Sequence, residues 1–259
     1  MQYLPALSVI DLAAGYPNDS RAIYDVTFDV MAGERVAVIG PNGAGKSTLF
    51  KAIAGIIPFT SGQISQGGLD CRSSHSLIGY VPQQNQVDWN FPATVGDVVM
   101  MGRARQIGWF RWPGRHDWDE VRRALALVSM ERAMDRPIGQ LSGGQKQRVF
   151  IARALVQNAH VLLLDEPFNG LDPAAYEEIL TSLDRLRADG VTVLVATHDM
   201  ESATTQFDKL LLMKRKRIAY GDAGEVYTAA NLKAAYGSRV SVLQDPDLGT
   251  LIVTDEHAH

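Results

Sequence analysis

Three short groups of residues have types and spacing that could do chemistry. The first is Gly40-Pro41-Asn42-Gly43-Ala44-Gly45-Lys46-Ser47-Thr48. Glycines let the backbone curl so that successive N–H groups point inward at phosphate oxygens. A helix starting at Lys46 adds its positive N-terminal end. Lys46 supplies a mobile cation for β- and γ-phosphates, and the Ser47 hydroxyl is placed for Mg²⁺. The second group is His160-Val161-Leu162-Leu163-Leu164-Asp165-Glu166, an apolar strand ending in two adjacent carboxylates. Asp165 is placed to bind Mg²⁺ directly or through water. Glu166, one residue on, can point at a water that attacks a γ-phosphate. Alone, this pair reads equally well as a solvated acidic turn; beside a phosphate loop it reads as a hydrolytic site. The third group is Leu141-Ser142-Gly143-Gly144-Gln145, where Ser142 caps a helix whose glycine-rich start is a second anion site.

The elements that must position these groups alternate between strand and helix. Asp25 to Val30 alternates polar and apolar residues, the mark of a half-buried strand. Met31-Ala32-Gly33-Glu34 is a turn. Arg35 to Ile39 is a short strand rich in Val and Ile, which points to burial on both faces. Gly40 to Gly45 breaks it, and Lys46 to Ala54 reads as a helix, so the phosphate loop has the strand–turn–helix context of a P-loop. From Asn85 to about Gln140 the pattern changes to helical pieces interrupted by Phe91-Pro92 and Pro113-Gly114. Val121, Leu125 and Val128 recur there at helical spacing. Alternation then returns: helix at Gly143–Gln157, strand at 161–164, helix at Pro173–Ala188 with Pro in its first turn and Gly190 after it, strand at 191–196. Such alternation implies a mainly parallel sheet covered on both faces.

Composition narrows the class. The chain has 259 residues, 46% of them hydrophobic and 21% charged, enough to bury a core. Its net charge is -4, which argues against a broad basic surface for nucleic acid. The excess lies at the end: from Gly221 onward, Asp222, Glu225, Asp245, Asp247, Asp255 and Glu256 face only Lys233 and Arg239. The single cysteine, Cys71, excludes an internal disulfide and fits a reducing compartment. The N-terminal stretch has no secretory pattern. No apolar run approaches the roughly 18 residues of a spanning helix. The expectation is a cytoplasmic chain that serves a membrane only through a partner.

The Leu141–Gln145 group resembles the signature of ATP-binding cassette (ABC) ATPases, upstream of the acidic strand end as in that family. Further matches cover most of residues 1–220. Tyr16 lies where the family's adenine-stacking aromatic falls; the plainer reading is a core tyrosine. Gln83, in Tyr80-Val81-Pro82-Gln83, is similar to the glutamine that touches Mg²⁺ and the attacking water. His198, in Ala196-Thr197-His198-Asp199, is similar to the switch histidine, and Asp172 to the aspartate of the loop linking two sites. In that loop Asn169-Gly170 stands where the family has Ser-Ala. The resemblance implies an α/β P-loop NTPase with a mainly parallel sheet core, an N-terminal antiparallel β subdomain and an inserted helical subdomain at about residues 85–157. Residues 1–236 would form this domain and 237–259 an acidic tail. It also implies ATP and Mg²⁺, catalysis by Glu166, His198, Gln83 and Lys46, and metal contacts from Ser47, Gln83 and Asp165. Nucleotide binding would fall to Tyr16, the loop Gly40, Pro41, Asn42, Gly43, Ala44, Gly45, Lys46, Ser47 and Thr48, and then to Gln83, Ser142, Gly143, Gly144, Gln145, Asp172 and His198. One P-loop and one signature per chain imply a head-to-tail dimer with a second copy.

Residues 84–95 and 97–103 resemble the importer branch for manganese, zinc or iron. There a permease subunit in the membrane docks on this region and a substrate-binding protein works outside the membrane. The expected place is therefore the cytoplasmic face of the cell membrane. Siderophore or haem import is the nearest rival, then export. A soluble ABC ATPase acting on ribosomes or DNA lacks support in the charge, and a small-molecule kinase lacks it in the signature. Trp89, Trp109, Trp112 and Trp118, with Arg103, Arg105, Arg111 and Arg115, fit either a membrane-facing surface or the helical subdomain's own core. Glu256-His257-Ala258-His259 reads as a disordered terminus before a weak metal site.

Overall fold

The computed structural model describes residues 4–70, 78–83, 92–108, 111–237, 240–245 and 249–254, the last two stretches as backbone only. Two sheets carry the structure. The first is antiparallel and N-terminal, in the order β2-β1-β4-β5, from β1 (Leu7–Tyr16), β2 (Asp19–Val30), β4 (Phe59–Gln66) and β5 (Leu69–Asp70). The second runs β10-β9-β3-β8-β7-β6, from β3 (Arg35–Ile39), β6 (Ile78–Val81), β7 (Val161–Asp165), β8 (Thr192–Thr197), β9 (Lys209–Lys214) and β10 (Lys216–Gly221). All its neighbours are parallel except the β9–β10 hairpin. This is the mixed α/β architecture expected from the alternation.

The central strands are apolar throughout because both faces are covered. Val36 and Val38 of β3, Val161 and Leu163 of β7, and Leu194 and Ala196 of β8 pack with α1 (Lys46–Ile53) and the antiparallel sheet. The alternate residues Ala37, Ile39, Leu162, Leu164, Val193 and Val195 pack into the opposite core, with the helices. Each Val, Leu or Ile among them contributes about 1.5–3 kcal/mol when removed from water.

Between β6 and β7 the chain makes α2 (Val95–Met100), α3 (Ala104–Ile107), α4 (Arg115–Leu127) and α5 (Gly143–Leu155). Val121 and Leu125 of α4 are fully buried, as is Val128 just past it. Arg103 is also buried. Its guanidinium bonds Asp117 at 2.8 Å and the Val156 carbonyl at 3.3 Å, tying the start of α4 to the end of α5. Trp118 packs against the core, whereas Trp112 is 92% exposed. Trp118 thus serves the core, while Trp112 stays on the surface; Trp89 and Trp109 lie outside the described residues. After β7 come α6 (Pro173–Ala188), α7 (Met200–Gln206), α8 (Ala223–Val226) and α9 (Ala229–Tyr236).

The segment expected as a weakly patterned tail contains a hairpin. β11 (Val240–Asp245) and β12 (Gly249–Thr254) pair antiparallel in unbroken register from Val240↔Thr254 to Asp245↔Gly249. Val240, Val242, Ile252 and Val253 favour a strand, a pattern hidden by the acidic composition. The terminal Glu256-His257-Ala258-His259 lies outside the described residues, as do Cys71 and His75.

Candidate functional site

Parallel pairing brings four strand ends to one edge of the six-stranded sheet. Ile39 pairs with Thr197, Asp165 with Ala196, and Val81 with Leu164. The loops that follow carry Gly40–Gly45, His198, Glu166 and Gln83. Ligands bind at this carboxyl edge in open α/β sheets because helix N-termini and loop amides gather there.

The phosphate loop is shaped by backbone. The Ala44 N–H donates to the Pro41 carbonyl at 3.0 Å, closing a tight turn. Gly45, at φ +94, starts α1 in the left-handed region, and a Cβ there would stand 2.3 Å from Ile23. Only glycine meets both demands. No side chain caps α1 and no acid sits in its first turn, so its N-terminal amides remain for an anion. Lys46 is 6% exposed and its ammonium donates to the Gly40 carbonyl at 2.8 Å. Burial pushes its pKa below the ordinary value, while the Glu166 and Asp165 carboxylates pull it back up. The cleft, of about 270 Å³, is lined by Asn42, Gly43, Ala44, Gly45, Lys46, Ser47, Thr48 and Glu166.

Asp165 is 3% exposed at the end of β7. The Ser47 hydroxyl donates to its Oδ1 at 3.0 Å and the Tyr80 hydroxyl to its Oδ2 at 3.1 Å. Burial raises the Asp165 carboxyl; these two hydrogen bonds oppose the rise. Burial, with Asp165 alongside, drives the Tyr80 phenol far above its ordinary value, so it stays a donor. Ser47 and Asp165, 118 residues apart in the chain, are therefore brought together by the fold. Glu166 sits at φ +50, a strained setting for a glutamate, fixed by its N–H donating to the Ala196 carbonyl at 3.0 Å. The Gln83 amide donates to Glu166 Oε2 at 2.9 Å, and the Asn169 amide reaches the same oxygen at 3.4 Å. His198 is exposed and lines an adjoining cleft of about 170 Å³ with Glu166 and Asn169.

The remaining residues lie elsewhere. Tyr16 is 39% exposed at the end of β1. It lines a neighbouring groove with Lys51 and Tyr80 and is not part of the P-loop cleft's lining. Asp172 caps α6, its carboxylate accepting the Ala175 N–H at 2.9 Å. Ser142, Gly143, Gly144 and Gln145 line neither the P-loop cleft nor the His198 cleft. They form the start of α5, where the Ser142 hydroxyl accepts the Gln145 N–H at 3.3 Å and the Ser142 N–H donates to the Gln145 side chain at 3.1 Å.

Two features had no signal in the sequence. Tyr80 bonds Asp165 from across the β6–β7 pair. Arg215, at the β9–β10 turn, lines the P-loop cleft, donates its N–H to the Ala44 carbonyl at 2.7 Å and grips Asp19 at 2.8 and 3.0 Å. A contact between positions 196 apart leaves no local pattern to read.

Comparison with known proteins agrees with this geometry. The model of the ABC transporter family matches residues 23–169. The manganese transport system ATP-binding protein MntB of Bacillus subtilis is 46% identical over 223 residues, covering 86% of this chain and 89% of that protein. The zinc transport system ATP-binding protein TroB of Treponema pallidum is 42% identical over 254 residues, covering 98% and 95%. A solved metal-chelate type ABC transporter in an inward-facing conformation superposes with a TM-score of 0.81 at 31% identity, covering 96% of this chain and 97% of that one. The P-loop, the Ser47–Asp165 pair and the Gln83–Glu166 pair, joined to these likenesses, make this chain a member of the ABC transporter family, as one of its ATP-binding ATPase chains.

Proposed function

We propose that this chain powers an importer of a transition-metal ion by hydrolysing ATP between two copies of itself. The observation that carries the reading is the convergence of Lys46, the Ser47–Asp165 pair and the Gln83–Glu166 pair on one sheet edge. Lys46 and the α1 amides bind the β- and γ-phosphates. Glu166 takes the proton from the attacking water, Gln83 orients that carboxylate, and His198 donates to the γ-phosphate from the end of β8. The residues fit Mg²⁺: the Ser47 hydroxyl, the Asp165 carboxylate and the Gln83 side chain are hard oxygen donors beside the phosphate loop. Among the described residues no group of three His, Cys, Asp or Glu side chains could hold a metal alone, as suits an ion that shares its ligands with phosphate and water. When bound, Mg²⁺ neutralises phosphate charge and polarises the γ-phosphate.

The γ-phosphate's outer side would be walled by a second copy. The capped, glycine-rich start of α5 has the chemistry to supply that wall, from a copy docked head to tail, with Asp172 in the loop linking the two sites. No helix among the described residues is long and apolar enough to cross a membrane. Mechanical work therefore passes to permease subunits, with this chain on the cytoplasmic face and a substrate-binding protein on the other side. The manganese and zinc assignments of the similar proteins support the metal class. Deleting the gene and measuring cellular Mn, Zn and Fe under scarcity tests it. A fall in one of the three is expected; no change in any would remove the metal assignment and leave the ATPase standing.

A further inference from the structure

The loop from Glu166 to Asp172 departs from the family pattern at Asn169-Gly170, and the departure makes a contact. The loop is held at both ends. Glu166 is pinned by its N–H to Ala196, and Asp172 is spent capping α6. Between them the Asn169 N–H donates to the Glu166 carbonyl at 3.3 Å, folding the side chain of Asn169 back toward the glutamate. Its amide then meets Oε2 at 3.4 Å, the same oxygen that takes the Gln83 amide at 2.9 Å. Asn169 is exposed, so nothing in the core requires an asparagine there.

We propose that Asn169 is a positioning residue for Glu166. Two amides from opposite sides, one on the segment after β6 and one on the loop after β7, converge on a single carboxylate oxygen. They set the rotation of the carboxyl group and leave Oε1 as the oxygen turned to the attacking water. A serine at this position would carry its donor one bond nearer the backbone, out of reach of an oxygen already at the long end of hydrogen-bond distance. The asparagine thus supplies a grip on the base that the commoner residue would not. This inference rests on the reading of Glu166 as the base.

The test is hydrolysis of Mg-ATP by the full chain, in steady state and in single turnover with radiolabelled ATP. Asn169→Ala and Asn169→Ser should each lower kcat by about fivefold, the worth of one hydrogen bond, with KM for ATP held within about twofold. In the Glu166→Gln background, Asn169→Ala should cause no further loss, because its effect passes through the carboxylate. An unchanged kcat in Asn169→Ala overturns the proposal. So does an undiminished fivefold loss in the Glu166→Gln background. Wild-type turnover in Glu166→Gln alone is a different failure: it removes Glu166 from its role as base.

Discussion

The carboxyl edge of the sheet and the start of α5 both offer helix amides to an anion, yet they are built in opposite ways. At the sheet edge Lys46 and Asp165 are buried and each is hydrogen-bonded to a neighbouring group of the site. That half is charged and held by its own hydrogen bonds, which is the preorganisation that strong electrostatic stabilisation requires. At α5, Ser142 and Gly143 are exposed, and the fixture is a reciprocal pair of long, neutral hydrogen bonds between Ser142 and Gln145. A neutral, solvated helix end gains little from an anion on its own. Under the proposed function the difference is a division of labour: the buried half would hold and cleave the nucleotide, while the exposed half would meet a nucleotide that another copy presents.

The sharpest break of this comparison is Glu166→Gln. On the proposed mechanism it removes the base and keeps the Lys46 and backbone contacts to phosphate, so turnover should drop by about 10²- to 10⁴-fold while ATP binding persists. Equal loss of binding would mean the two functions of the buried half are not separable.

Asp117→Ala tests the tie between α4 and the far end of α5, the helix that carries the exposed half. The Gly114 N–H and then the Arg103 guanidinium keep the Asp117 carboxyl below its ordinary range. Removing it strands a buried Arg103 and should cost about 3 kcal/mol in urea unfolding at neutral pH. Because the folded value is depressed, this stabilisation is present above the unfolded value, near 4, and is lost as pH falls through the lower folded value. The gap between wild type and variant should therefore close in acid. A gap constant with pH would assign it to packing alone.

Gly144→Val should have a smaller effect on stability. A Cβ at Gly144 would lie 2.6 Å from the Ala175 Cβ, so α5 and α6 must separate, at about 1–3 kcal/mol. ATP binding to one chain should survive, because the P-loop lies in the other half. Steady-state turnover should fall with the displaced signature. Unchanged turnover would show that the start of α5 takes no part.

Legibility in the sequence follows the same division. The β3–P-loop–α1 unit was readable because glycines, Lys46 and the flanking apolar runs are contiguous. Helix α6 was read to the residue, since Pro173 and the glycine after it punctuate the chain at both ends. The resemblance named Ser47, Gln83, Asp165 and Glu166 as site residues; that Ser47 bonds Asp165 and Gln83 bonds Glu166 emerged only from the fold. Tyr80 on Asp165 and Arg215 on Asp19 were not readable, because sheet order creates those contacts and no periodicity encodes them. The β11–β12 hairpin was hidden by composition: the acids drew attention from the β-branched residues between them.

The most direct measurement of the central claim is the mass of purified Glu166→Gln protein in solution, with Mg-ATP and without it. A dimer that forms only with nucleotide, and that Lys46→Ala or Gly144→Val abolishes, is the predicted result. A strict monomer under saturating Mg-ATP would contradict the account, because the exposed half would then have no nucleotide to meet.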